Sequence, residues 1–124
     1  MSTPTHQDAS LMVQMEQVWA AGGLSEAAAW MLSDEFVSDY GEFLEKYPAG
    51  SEGQHYVYKL MRWFEIVGAL HKHGLINEAL LADWVAADLA WNRMKGIALG
   101  MRERVGDERV LEKFEALAKA QKVR

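Results

Sequence analysis

The stretch RWFEIVGALHKHGLINEALL, residues 62–81, decides the fold. Apolar residues recur at intervals of three and four up to His73. Gly74 then suits the left-handed position just past a helix end, and Asn77 has the side chain of a helix N-cap. Two helices are therefore expected to meet here in a tight joint, with Leu75 folding back onto the last turn of the first. His71 and His73 lie two residues apart, about 200° around a helix, so one ordered helix cannot aim both at one metal ion. His71 is expected to pack on the apolar face, and His73 to meet the carbonyls at the helix C-terminus, where a cation is favoured.

Working outward, Ser51 and Gln54 have capping-box spacing, which predicts a helix extending from there to His73. Val57, Leu60, Met61, Phe64, Val67 and Gly68 fall on one side of it, and Trp63, Ile66 and Leu70 widen that arc. Tyr58, Arg62, Glu65 and Lys72 form its polar stripe. From Asn77 a long helix should run to about Val105 and stop at Gly106. Its main face carries Leu80, Trp84, Ala87, Trp91, Met94, Ala98 and Met101. Ala82, Ala86, Ala90 and Gly100, with Gly96 close by, make a second face of small residues that admits a close backbone. A helix apolar on two sides must be buried on two sides, so this face is the expected contact with a second subunit.

The flanks complete the bundle. Asp8 is the expected N-cap of a helix from Ala9 to Ala21, which Gly22 and Gly23 end. Ser25 caps a segment reaching Tyr47, either bent or restarted at Ser33, and YPAGSEG reads as an exposed loop. Asp107 should cap the last helix, whose apolar side is Val110, Leu111, Phe114, Leu117 and Ala118. The prediction is all-α: a compact bundle of about five helices around a long central helical hairpin, one domain over residues 1–124 with residues 1–8 flexible.

Composition narrows the function. Half of the residues are hydrophobic, and 124 residues suffice for one core. The absence of cysteine removes disulfides, thiolate zinc sites and thiol nucleophiles. No apolar run could span a bilayer, and MSTPTHQDAS does not read as a secretory signal, so a cytoplasmic location is expected. The net charge of −5 is uneven: residues 1–54 hold nine acids against Lys46 alone, while residues 55–124 carry a net +3. The two halves should attract each other, within one chain or between the chains of a dimer. Five acids interrupt the cationic tail after Arg102, which disfavours nucleic acid as a partner.

Two places could carry chemistry. Glu65 sits among Trp63, Phe64, Ile66 and Val67; an ion pair with Arg62 is its ordinary role, and Arg93 is a partner if another helix buries it. Asp88 between Trp84 and Trp91 could line a pocket with an aromatic wall, or simply mark the edge of the core. No nucleophile–base pair, phosphate loop or zinc motif occurs, so no catalytic residue, metal ligand or cofactor is assigned.

The residues Trp63, Phe64, Glu65, Gly68, Gly74, Leu75, Ile76, Trp91 and Arg102 resemble those of a family of mostly bacterial, all-helical proteins known as a domain of unknown function. The resemblance covers the two central helices strongly and the chain from Ser33 loosely. It implies a helical unit centred on the joint and brings no activity with it. The expectation is a non-enzymatic, self-associating interaction domain, a homodimer joined through the small-residue face or through the first helix, or the partner of another protein. The alternative is a ligand-binding or enzymatic protein with a pocket near Glu65 and Asp88.

Overall fold

The computed structural model describes residues 3–122, and among them the chain forms seven α-helices and no strand. They are α1 (His6–Ala21), α2 (Leu24–Met31), α3 (Tyr40–Lys46), α4 (Glu52–Lys72), α5 (Glu78–Trp84), α6 (Ala87–Val105) and α7 (Glu112–Lys122). The all-α class is as expected. The count rises from five to seven because two expected helices are each broken.

The local signals act where the sequence puts them. Ser51 accepts from the Gln54 N–H, and Asn77 accepts from the Leu80 N–H. Gly74 takes φ 66°, which lets the Leu75 N–H reach the Leu70 carbonyl at 2.9 Å. Leu75 itself stays exposed, and Ile76 is the residue that enters the core. At the other end, Thr5 rather than Asp8 is the N-cap of α1, with Asp8 closing a capping box from the third helical position. Residues 5–8 are thus built into the helix start, whereas Met1 and Ser2 lie outside the described residues. Asp39, not Ser33, caps α3.

The helix expected from Asn77 to Val105 breaks at Val85, which is extended at φ −116° and ψ 129°. Neither glycine nor proline marks the place. Contacts from far along the chain hold it instead: the Trp84 indole N–H donates to Glu16 on α1, and the Ala87 N–H donates to Gln121 Oε1 of α7 at 2.7 Å. Helix propensity among alanines is worth a few tenths of a kcal/mol per residue, about the size of one such bond or less, so these tertiary partners decide the local conformation.

The central hairpin also needs correcting. In space the neighbours run α1, α2, α4, α7, α6, α3, so the last helix lies between the two longest ones. Phe114 and Leu117 of α7 are fully buried there. Each such side chain contributes about 1.5–3 kcal/mol. Gly68 is what lets α4 and α7 approach: a Cβ at that position would lie 2.4 Å from the Lys113 carbonyl oxygen.

The small-residue face of α6 is covered within the chain. A Cβ at Gly96 would meet the Ser38 carbonyl at 2.3 Å, and one at Gly100 would meet the Tyr40 side chain at 2.4 Å. The segment entering α3 therefore takes the place expected of a second subunit. Ala90 is buried, while Ala82 belongs to the separate α5 and Ala86 lies exposed at the break.

Gly68→Ala should cost about 1–3 kcal/mol through overpacking, because the obstacle is backbone. Gly50→Ala, at φ 84° with nothing within 4 Å, carries only backbone strain and should cost about 1–2 kcal/mol. Urea unfolding measures both, and α7 should lose amide protection selectively in the Gly68 variant.

Candidate functional site

The first turn of α7 needs acceptors for its free N–H groups. The residue before it, Leu111, has no side-chain oxygen and sits at φ 58°, an uncommon conformation for leucine. Glu65 of α4 supplies the acceptor: its Oε1 receives the Phe114 N–H at 2.8 Å, and its Oε2 lies 3.7 Å from Lys113 Nζ. A carboxylate here also faces the positive end of the helix dipole.

Arg102 of α6 works from the opposite side. Its Nε donates to the Val110 carbonyl at 2.7 Å, and its Nη2 stands 2.9 Å from Glu115 Oε1. The guanidinium also lies 5.7 Å from the centre of the Trp91 ring. Between these polar ties, Phe114 stacks on Phe64 at 4.8 Å and meets Trp91 edge-on at 5.2 Å. Burial tends to raise the pKa of Glu115, but its bonds from Arg102 and Lys119 outweigh that and hold the carboxyl below the ordinary carboxylate range. Arg93, the expected partner of a buried Glu65, closes α2 instead by donating to the Met31 and Ser33 carbonyls at 2.8 and 2.7 Å. Arg62 is exposed and Glu65 does not pair with it.

The other acids near the core are ties of the same kind. Asp8 accepts from the Thr5 N–H within the capping box and from the Asn77 N–H at 2.9 Å, joining α1 to the start of α5. These backbone donors, Thr5 first, favour the carboxylate and hold the Asp8 pKa below its ordinary value. His71 lies 3.1 Å from Glu78 across the joint, and His73 is the exposed C-cap of α4. Among the described residues, no group of three or more His, Cys, Asp or Glu side chains could hold a metal ion.

The four candidate ligand-binding residues do not share one pocket. Asp88 and Trp91 line a groove of about 260 Å³ between α6 and α7, together with Lys95, Glu115, Lys119 and Lys122. Trp84 lines a separate cleft of about 110 Å³ with Glu16, Trp19, Trp63 and Phe64. Glu65 lines neither. The break at Val85 separates Trp84 from Trp91, which an unbroken helix would have stacked on one face. No sequence signal joins Glu16, Trp19 and Trp63, because their meeting depends on how α1 lies on α4.

These contacts define an all-helical domain whose acids near the core cap and join helices. The chain belongs to the family described as a domain of unknown function (DUF4760), whose profile matches residues 6–121. No curated protein and no solved structure gave a match. The family domain begins at α1, so it takes in the helices before Ser33 that the resemblance did not reach. Phe64, Glu65, Gly68, Trp91 and Arg102, which carried that resemblance, all converge on the beginning of α7.

Glu65→Leu should cost about 1–2 kcal/mol, the range of a lost helix cap, and Glu65→Gln clearly less because it keeps an acceptor. Hydrogen exchange at the Phe114 amide reads the loss directly. Asp8 and Glu115 have lowered pKa values in the fold, so their contribution is complete above the ordinary values of 3.8 and 4.5 and is lost as pH falls through the depressed ones. Urea midpoints should therefore drop below about pH 4.5, and the drop should shrink in the Asp8→Asn, Glu115→Gln double variant.

Proposed function

We propose that this protein is a non-enzymatic, cytoplasmic interaction domain that pairs with a second copy of itself. The acidic surface of α1 to α3 in one copy would lie against the outer face of α6 and the cationic side of α7 in the other. One observation carries this reading. Among the described residues, every ion pair stays within residues 1–54 or within residues 55–124: Lys46 with Glu35 in the first, and six pairs in the second. Cations that do cross between the halves bind carbonyl or hydroxyl oxygens, as Lys59 binds Gly22, Arg93 binds Met31 and Ser33, and Arg104 binds Tyr40. Glu35 apart, the acids of the first half thus have no ion-pair partner among the described residues, and those on the surface of α2 and α3 keep their charge for another molecule.

The outer face of α6 supplies apolar contact for the same pairing. Leu89 is 66% exposed and Leu99 49% exposed on it, and Leu99 stands between shallow grooves toward α3 and α7. Among the described residues no helix is long and apolar enough to cross a membrane, so these leucines are not part of a spanning helix.

Light scattering at tens of micromolar protein should give twice the chain mass of 14.0 kDa in low salt and less in high salt, since exposed charges are screened. Leu99→Glu, at an exposed position, should shift the population to monomer without lowering the melting temperature. A strict monomer in low salt would defeat the proposal.

A further inference from the structure

The cleft holding Trp84 has a chemistry that the proposed pairing does not use. Its walls are Trp19 from α1, Trp63 and Phe64 from α4, and Trp84 from α5, with Glu16 beside them. The rings cross steeply: Trp19 and Trp63 at 4.8 Å and 68°, Trp63 and Trp84 at 6.1 Å and 88°. Each indole N–H is already engaged. Trp19 donates to Ser25 Oγ at 2.7 Å, Trp63 to the Met15 carbonyl at 3.4 Å, and Trp84 to the Glu16 carboxylate.

With its indole donors spent, the cleft presents the part-exposed rings of Trp19 and Trp84 beside the buried Trp63 and Phe64, and one carboxylate. Both attract positive charge: ring faces carry the negative lobe of the quadrupole, and Glu16 adds a full anion. The protein places its own cations over other rings. Among the described residues, Lys46, Lys59, Arg93 and Arg102 stand over Tyr47, Tyr56, Phe36 and Trp91, and none stands over Trp19, Trp63 or Trp84.

We propose that this cleft is a binding site for a small organic monocation carrying a methylated ammonium group. Its volume of about 110 Å³ is below the ~300–1,000 Å³ usual for whole metabolites, so it takes the ammonium head and leaves the remainder in solvent. A methylated head suits it better than a primary ammonium, which needs hydrogen-bond acceptors on several sides where the walls are carbon. An anionic substituent next to the head would meet Glu16, so the ligand is a free monocation rather than a phosphorylated headgroup.

The test is a titration of the full chain with choline, tetramethylammonium, phosphocholine and dimethylbutanol, the uncharged isostere of choline, at constant ionic strength. The readout is the indole N–H resonances of the five tryptophans. Choline and tetramethylammonium should shift Trp19, Trp63 and Trp84 saturably while Trp91, covered by Arg102, stays still. Dimethylbutanol should bind about tenfold more weakly, the size of a partly desolvated cation–π contact. Glu16→Gln keeps an oxygen that accepts the Trp84 N–H, and should weaken choline by about threefold or more while the Trp19, Trp30, Trp63 and Trp91 resonances of the free protein stay in place. Absence of a saturable shift, equal binding of dimethylbutanol, or full choline affinity in Glu16→Gln would overturn the proposal. Tighter binding of phosphocholine than of choline would overturn it in favour of a lipid headgroup.

Discussion

Glu65 reaches from the middle of α4 to the Phe114 N–H, and the placement of α7 depends on that contact. Burial of Phe114 and Leu117 holds α7 with several kcal/mol, far more than one cap provides. Burial is not directional, however, and a helix held only by apolar contact can slide or rotate. The Glu65 bond, the Arg102 bonds to Val110 and Glu115, and the close approach at Gly68 fix one register among those that apolar contact would allow. With the register fixed, Gln121 on the same helix lands on the Ala87 N–H and starts α6.

The same economy explains why polar residues near the core make poor evidence for catalysis here. Glu65, Asp8, Glu115 and Arg102 each combine low solvent access or a shifted environment with specific partners, the profile that often marks an active site. In this chain the partners are backbone groups at helix ends or a neighbouring charge on α7. Their geometry is that of assembly. Trp19, Trp63 and Trp84 differ, because their indole N–H groups are satisfied and all three line one cleft.

How much was legible in the sequence follows from how far each determinant acts. Ser51, Gly74, Asn77 and Gly106 act within a turn of themselves, and each marks the boundary that its chemistry requires. The break at Val85 and the left-handed Leu111 carry no local signal, since their stabilising partners are Gln121, Glu16 and Glu65, tens of residues away. The break then corrupted every inference that assumed one helical phase from Leu80 to Met101. A single phase would place Trp84 with Trp91, and Ala82 with Gly96. Gly96 and Gly100 carry a local signal for close contact, but the neighbours, Ser38 and Tyr40 of the same chain, lie tens of residues away.

The position of α7 has a further consequence for how the chain comes into being. Synthesis runs from α1 toward α7, yet α7 is the layer that α4 and α6 both pack against. Until residues 112–122 have cleared the ribosome, Phe64 and Trp91 lack the Phe114 ring that joins them, and two apolar helix faces stay open. The nascent chain thus passes through an interval of exposed hydrophobic surface in which chaperone binding competes with aggregation. That interval ends only when the final helix docks.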